Sequence, residues 1–133
     1  LFAQILGYYV PYSGSVGPRV RVLEPGHAEV EIPDRRSNRQ HLGSVHAIAL
    51  ANAAELASGL AMLVGLPDGI RGIVVDLSIQ YFKKARGTIR AVSIVVVPTV
   101  TTETDLTITA DCLDSGREVV ARATVCWRLA PEP

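Results

Sequence analysis

Glu55 is the residue whose chemical type and surroundings stand out most clearly in the chain. It is a carboxylate flanked by alanines and one leucine inside the longest apolar stretch, residues 45–66. Burial there would raise the pKa of the carboxyl towards neutrality, as a general base or acid requires. A structural glutamate, hydrogen-bonded to Asn52 or to a partner chain, fits the same spacing equally well. Helical spacing places Glu55 on one face with mostly small residues that leave room beside it: Ile48, Ala51, Asn52, Ser58, Gly59 and Met62.

The start of the same apolar stretch offers a second ingredient, an electropositive helix end. We expect free amides of Val45, His46 and Ala47, together with the helix dipole, to be able to polarise a carbonyl oxygen. His46 lies nine residues before Glu55, about 180° around a helix, so the two side chains cannot form a dyad on one face. A packed or capping histidine is the plainer interpretation of His46.

Cationic side chains gather at two places along the chain. They are solvated surface charges or, alternatively, a small phosphate clamp that would suit a nucleotide-bearing acyl carrier. One cluster lies at a predicted turn and the other in the loop before the helix: Lys83, Lys84, Arg86 and Arg90, then Arg35, Arg36 and Arg39.

The composition excludes several classes of function. Lys and Arg total 13 and Asp and Glu total 13, so the net charge is zero. A dedicated nucleic-acid binder would carry a basic excess, and the chain offers no cationic face for an anionic membrane. No P-loop, dinucleotide-binding glycine pattern, nucleophile elbow or His/Cys metal spacing occurs. We therefore expect no nucleic-acid partner, no membrane partner and no metal.

The two cysteines, Cys112 and Cys126, are too few for a disulfide scaffold. A hairpin folded around Ser115 would place Cys112 near Val119 and Cys126 near Asp105, which keeps the two sulfurs beyond disulfide reach. Buried free thiols in a reducing compartment are the resulting expectation, and the cytoplasm is the predicted location.

Hydrophobic periodicity predicts one long apolar helix between two sets of strands within a single domain, residues 1–133. Ser44 is a good N-cap for a helix over residues 45–64, spanning 44–65 with its ends. A short helix is expected within residues 1–14. The strands are expected at 19–24 and 28–33, joined by Pro25-Gly26, and then, within 70–130, at 72–82, 88–97, 102–113 and 118–129.

This order of elements predicts an α+β fold. A helix that is apolar on every face must be covered on every face, and a long antiparallel sheet curled around it is the economical solution. The strand over residues 88–97 is apolar on both faces between positions 89 and 97, which indicates further cover from a partner subunit.

The residues that could do chemistry resemble the thioesterase signature of the hotdog fold. In its phenylacetate-pathway branch this signature has Asn, Gly and His-Gly-Gly, followed by an acidic residue nine after the histidine; the chain has Gly43, then His46-Ala47-Ile48, and then Glu55. Residues 75–87 resemble the strand–turn segment of the same branch. The resemblance spans about residues 15–130 and points most closely to an uncharacterised thioesterase-like subgroup.

The resemblance implies a role for each matching residue. Glu55 matches the nucleophile or general base, and Ala47 matches the glycine whose amide points at the thioester oxygen. The polar group that positions water or the carbonyl would be Asn38, Gln40 or His41. The family builds its site across a dimer interface, with a strand that corresponds to residues 72–76 facing the partner's helix. The full set of implied site residues comprises Glu55, Asn38, His41, His46 and Ala47, and for substrate binding Gln40, Gly43, Val74, Val75, Asp76, Lys84 and Arg86.

Three hypotheses of function follow. The first is hydrolysis of an acyl-CoA or acyl-carrier thioester by a homodimer or tetramer, with coenzyme A only as part of the substrate. The second is a non-catalytic module that binds acyl groups or only dimerises, favoured by the loss of both glycines at Ala47 and Ile48 and by Val74 where some members carry a serine or threonine. The third, a hydroxyacyl dehydratase with His41 fourteen residues before Glu55, lacks the proline-rich stretch of such enzymes.

Overall fold

Two short strands, one helix and four further strands follow one another along the chain. The computed structural model describes residues 17–34, 38, 43 and 45–133, so the N-terminal helix expected within residues 1–14 lies outside the described residues. So do Gln40, His41, Ser44 and the arginines of the loop before the helix. The elements are β1 (Arg19–Glu24), β2 (His27–Ile32), α1 (Ala47–Leu63), β3 (Ile70–Tyr81), β4 (Ile89–Ile94), β5 (Thr104–Leu113) and β6 (Val119–Pro131).

The six strands form one antiparallel sheet in the order β1-β2-β4-β5-β6-β3, and α1 packs across one side of it. The predicted α+β class, a long antiparallel sheet around one apolar helix, is confirmed. We call the side of the sheet that carries α1 the helix-facing side and the opposite side the outer face. Among the described strands, β1 and β3 lie at the two edges.

Small side chains dominate the contact between the helix and the sheet. Ala53, Ala54, Ala57 and Ala61 of α1 are completely buried. On the sheet the fully buried row of β6 runs from Ala121 to Leu129 at every second residue, as its alternation predicts. Because alanine adds little bulk, the helix backbone can lie close to the sheet, and Trp127, Ile32 and Met62 are the largest fully buried side chains of the core.

The turn between β1 and β2 is fastened to both the helix and the sheet by Gly26. Its N–H donates to the carbonyl of Ala61 at 2.8 Å, and its own carbonyl accepts from Val95 N–H at 2.8 Å. A side chain at this position would place Cβ 2.6 Å from the Val95 oxygen, and φ is +83°. Only glycine fits both conditions.

The β5–β6 hairpin corrects the predicted register by two residues. Cys112 faces Ala121 rather than Val119, and Cys126 faces Thr107 rather than Asp105. The shift arises because the turn extends over residues 114–118, with Arg117 in the left-handed region at φ 63°, and because a bulge follows it.

Both cysteines are free thiols, as predicted, but only Cys112 is buried. Cys126 is half-buried on the outer face, since it alternates with the buried row of β6. Burial, with a smaller contribution from Asp111, raises the pKa of the Cys112 thiol to about 12. Cys112 therefore remains protonated and behaves as an apolar core residue. Within the described residues no helix is long and apolar enough to cross a membrane.

Alternating charges on the outer face join β1, β2 and β4. Arg90 donates to Glu29 and Glu31 at 3.2 Å each. His27 approaches Glu24 through Nδ1 at 3.2 Å and Glu29 through Nε2 at 2.8 Å. Hydrogen bonds from the imidazole to Glu24 and, second, to Glu29 raise the pKa of His27, because both carboxylates favour the imidazolium form.

Replacement of His27 by Gln is expected to cost stability at about pH 6 and to cost much less at about pH 9. The folded-state pKa is raised above the unfolded value of about 6.5, so the stabilisation is complete below that value and is lost as pH rises through the folded pKa. Urea unfolding of the two proteins at both pH values measures the difference. An equal difference in the free energy of unfolding at both pH values would contradict the pairing of His27 with the two carboxylates. In a Glu29→Gln background, the cost of His27→Gln at about pH 6 should be smaller.

Candidate active site

The carboxylate of Glu55 is half-buried in α1 and has no hydrogen-bond or ion-pair partner among the described residues. Among the described residues, Glu55 therefore does not make the side-chain hydrogen bond to Asn52 that the sequence allowed as an alternative. Burial raises the pKa of the Glu55 carboxyl. On the same side of the helix, Ile48 is 75% exposed and Ala51 and Asn52 are half-exposed, whereas Gly59 and Met62 are buried. The open part of this face thus lies in the first half of the helix.

The helix begins two residues later than predicted. His46 is the N-cap, with φ −61° and ψ 139° and no side-chain capping bond, so Ser44 is not the cap. The amides of Val45 and His46 are already used, donating to the carbonyls of Ala85 at 2.6 Å and Asn38 at 2.7 Å. The prediction that three amides are free at the helix start was therefore wrong for Val45 and His46. Ala47 occupies the first helical position, where the N–H has no acceptor within the helix.

A cavity of about 470 Å³ opens beside this helix end. Tyr81, at the end of β3, contributes one wall and donates its hydroxyl to the carbonyl of Ala47 at 3.1 Å. Burial, and to a smaller extent the Cys112 thiol, raises the pKa of Tyr81. The cavity is lined by Val45, His46, Ala47, Leu50, Tyr81, Phe82, Lys83, Lys84 and Ala85.

The role of Tyr81 was not found from the sequence, although the signal was present. In β3 it follows Leu77 and Ile79 at every second position, and these three face the buried row of β6. Alternation alone therefore places the ring on the helix-facing side. What alternation does not give is the hydroxyl contact, because that depends on where α1 begins.

The polar loop before the helix contributes structural contacts in the part that is described. Asn38 is buried; its amide donates to the carbonyl of Pro33 at 3.2 Å, and its own carbonyl accepts from His46. Gly43 is exposed at φ +83°, and a Cβ there would lie 3.6 Å from a guanidinium nitrogen of Arg86. Gln40 and His41 lie outside the described residues, so their predicted roles stay predictions.

The structure divides the predicted cluster of four cations. Lys83 is paired with Asp114 at 3.1 Å and Glu118 at 2.5 Å, and Arg90 is paired on the outer face. Lys84 and Arg86 are exposed and make no ion pair with any residue in the described ranges. These two side chains remain available to an anion near the cavity.

The predicted substrate-binding residues of β3 point to different sides. Val74 pairs with Trp127 and so lies in the helix-facing row, while Asp76 pairs with Cys126 and lies on the outer face. Val75 is the extra residue of a bulge between them and is 39% exposed. The strand therefore does not bring Asp76 to the side of the sheet that carries α1 and Glu55.

The Glu55 carboxylate and the start of α1 do not meet in the described chain. Ala47 and Glu55 are eight residues apart on one helix, which is about 12 Å along its axis. Glu55 is also absent from the walls of the cavity. A single carbonyl group cannot contact both, because each contact has to be about 3 Å.

Across the described residues, no group of three His, Cys, Asp or Glu side chains could hold a metal ion.

Comparison with known families gives a match over nearly the whole chain. Residues 1–129 match the family described as Domain of unknown function (DUF4442). The chain belongs to the DUF4442 family. A comparison of this DUF4442 protein with curated proteins found no match.

Solved structures share the fold of the DUF4442 protein. A structure described as genomics APC5556 is 35% identical, with a TM-score of 0.84, over 98% of this chain and 88% of the other. A Pseudomonas aeruginosa protein of unknown function, PA5026, described as a probable thioesterase, is 22% identical with a TM-score of 0.83, over 99% and 97%. A mutant of the phenylacetic acid degradation protein PaaI from Thermus thermophilus is 21% identical with a TM-score of 0.73, over 89% of this chain and 97% of the other. The hotdog architecture predicted from the resemblance is confirmed.

Glu55→Gln is expected to increase the free energy of unfolding of the DUF4442 protein at about pH 8. Burial raises the folded-state pKa above the unfolded value of about 4.3, so the ionised carboxylate costs stability at high pH. The gain should shrink towards pH 4, where the carboxyl is protonated in both states. Thermal unfolding over this range measures it, with Glu132→Gln at an exposed position as the control. A gain independent of pH would contradict the burial of Glu55.

Proposed function

We propose that this DUF4442 protein hydrolyses the thioester bond of an acyl-CoA or acyl-carrier substrate, with Glu55 as general base or nucleophile. The observation that carries the proposal is the half-buried carboxylate of Glu55, which lies in an apolar helix without a partner among the described residues. A carboxylate that is desolvated but unpaired costs stability and is typical of a functional group. The fold shared with structures described as thioesterases supports the same reaction class.

Each group would have a defined part in the hydrolysis. As general base, Glu55 takes a proton from a water molecule, whose oxygen attacks the thioester carbonyl. The Ala47 amide donates to the oxyanion of the tetrahedral intermediate. Collapse of the intermediate breaks the carbon–sulfur bond, and the thiolate leaves with the proton that Glu55 received. As nucleophile, the Glu55 carboxylate would instead attack the thioester carbonyl and expel the thiolate, which forms an anhydride between Glu55 and the acyl group; water then hydrolyses this anhydride and releases the acid and free Glu55.

We infer that the two groups come from different subunits of a homodimer. The distance of about 12 Å between Ala47 and Glu55 on one helix supports this arrangement. The edge strand β3 is 12 residues long and pairs with only one described strand. Ile73 on this strand is 52% exposed, and long exposed edges of this kind are normally covered. A second copy of the chain would cover this edge.

Lys84 and Arg86 are proposed to bind phosphate groups of the coenzyme A or carrier moiety. Both lie on the segment that follows Tyr81 and have no described anionic partner, while Lys84 lines the cavity at the helix start. Guanidinium and ammonium groups bind phosphates well. A cytoplasmic setting is part of the proposal, and the free thiols of Cys112 and Cys126 support it.

Glu55→Gln should lower kcat by about 10²-fold to 10⁴-fold, because glutamine cannot accept the proton of the attacking water. Hydrolysis of a panel of aliphatic and aryl acyl-CoA thioesters, followed by thiol release, measures this loss. As the control, Glu132→Gln removes an exposed carboxylate near residue 133, the last of the sequence, and should keep wild-type activity. Turnover that survives Glu55→Gln would overturn the assigned role.

Lys84→Ala and Arg86→Ala should raise KM for a CoA thioester by about 10-fold when combined, since each removes a charged contact to phosphate. The same variants should leave KM unchanged for a pantetheine thioester, which lacks the nucleotide phosphates. Steady-state kinetics with the two substrates give the comparison. An equal effect on both substrates would show that these side chains act on folding or on the acyl group instead.

Ile48 favours a second candidate function, a non-catalytic acyl-binding module. Its side chain is 75% exposed on the open face of the helix, at the position where the thioesterase signature has a glycine. Such a module would be stabilised against heat by a thioether analogue of acyl-CoA but would turn over no thioester. Stabilisation without turnover in the panel above would select this function over hydrolysis.

A further inference from the structure

A buried chain of hydrogen bonds links the sheet to the backbone of α1 at Glu55. The indole N–H of Trp127 donates to the hydroxyl of Ser58 at 3.0 Å, and this hydroxyl donates to the carbonyl of Glu55 at 2.8 Å. Ser58 and Trp127 are both completely buried. These hydrogen bonds thus connect Trp127 of β6, through Ser58, to the backbone of Glu55, the residue proposed to act on the thioester.

This contact differs in kind from the rest of the interface between α1 and β6. The neighbouring side chains are small and apolar, including Ala54, Ala57 and Ala61 of the helix and Ala123 and Val125 of the strand. Apolar packing of small groups is weakly directional, so it leaves the rotation of a helix about its axis loosely defined. A buried hydrogen bond requires one geometry, because breaking it leaves a polar group desolvated.

The rotation of α1 determines where the Glu55 side chain points. Ser58 follows Glu55 by three residues, so the two side chains lie on adjacent parts of the helix surface, one towards the sheet and one towards the open face. No described side chain holds the carboxylate itself. Its position therefore depends on the backbone from which it projects.

We propose that Ser58, held by Trp127, is a positioning residue that fixes the rotation of α1 and thereby the direction of the Glu55 carboxylate. This inference rests on the proposed function for its consequence in catalysis. Ser58 is completely buried and acts only through the backbone of Glu55, without contact to the substrate. Displacements of about 1 Å in a reacting group can cost about 10²-fold in rate, which gives a hydroxyl outside the site a measurable effect on turnover.

Ser93 provides a matched control for the loss of a buried hydroxyl. It is also buried in the core, and its hydroxyl donates to a backbone carbonyl, that of Thr109, at 2.9 Å. This bond joins β4 to β5 and does not involve the helix. Ser58→Ala and Ser93→Ala therefore remove the same group at similar depth, and only the first removes a hydrogen bond between α1 and the sheet.

The kinetic test compares these two variants with the wild type. Ser58→Ala should lower kcat by about 10-fold to 100-fold with KM within about twofold, while Ser93→Ala should keep wild-type kcat. Trp127→Phe, which retains a ring but removes the N–H donor, should lower kcat in the same direction. Equal kcat for Ser58→Ala and the wild type, or an equal loss in Ser93→Ala, would overturn the proposal.

A second readout is independent of any turnover. The pKa of Glu55, measured by NMR of carboxyl-labelled glutamate and assigned through Glu55→Gln, should be raised in the wild type and in Ser93→Ala. In Ser58→Ala the pKa of Glu55 should differ from its wild-type value, because burial is the cause of the raised pKa and a rotated helix changes that burial. An unchanged pKa in Ser58→Ala would overturn the positioning role even if the wild type hydrolyses no thioester. If the wild type turns over no thioester but the pKa of Glu55 still changes in Ser58→Ala, the proposed function is wrong and the positioning role of Ser58 stands.

Discussion

The packing of one small-residue helix against one side of an antiparallel sheet is the constraint on which the rest of the structure depends. Alanines on α1 and on β6 allow the two backbones to lie close together, and they leave the sheet able to curl around the helix. This packing buries the second half of α1 and leaves an open face in its first half, where Glu55 and Ile48 lie. The position of the candidate site is thus a consequence of where the sheet stops covering the helix.

The helix also keeps apart the two groups that the proposed hydrolysis would use, the amide of Ala47 and the carboxylate of Glu55. A helix is rigid, so the Ala47 amide and the Glu55 carboxylate stay about 12 Å apart along its axis. The Tyr81 hydroxyl and the Val45–Ala85 contact fix the helix start, while Ser58 and Trp127 hold the backbone at Glu55. Each of these two groups is well anchored within the described chain. The proposed hydrolysis therefore includes a second copy of the chain, for which the exposed edge of β3 offers a contact surface.

Much of this could be predicted from the sequence, because alternation and helical spacing depend on neighbouring residues only. They gave the α+β class, the buried row of β6 and the anomaly of Glu55. They failed where contacts outside the local pattern set the structure. The helix starts at Ala47 because the carbonyls of Ala85 and Asn38 accept the two preceding amides. The register of β5 and β6 depends on Arg117, which adopts φ 63° in the turn. The cation cluster divided because Arg90 alternates with the buried Ile89 and so points to the outer face, a signal that the sequence did contain.

Complementation between two inactive variants tests the shared site most directly. Ala47→Pro removes the amide at the first helical position, where proline is well tolerated and where the His46 backbone already suits a following proline. Mixed with Glu55→Gln and allowed to exchange subunits, it forms heterodimers in which one of the two sites is intact. About a quarter of wild-type activity should be recovered at equal mixing, because half of the two-fold symmetric dimers are then heterodimers and each has one intact site of two. No recovery from two variants that are folded and exchange subunits would contradict it.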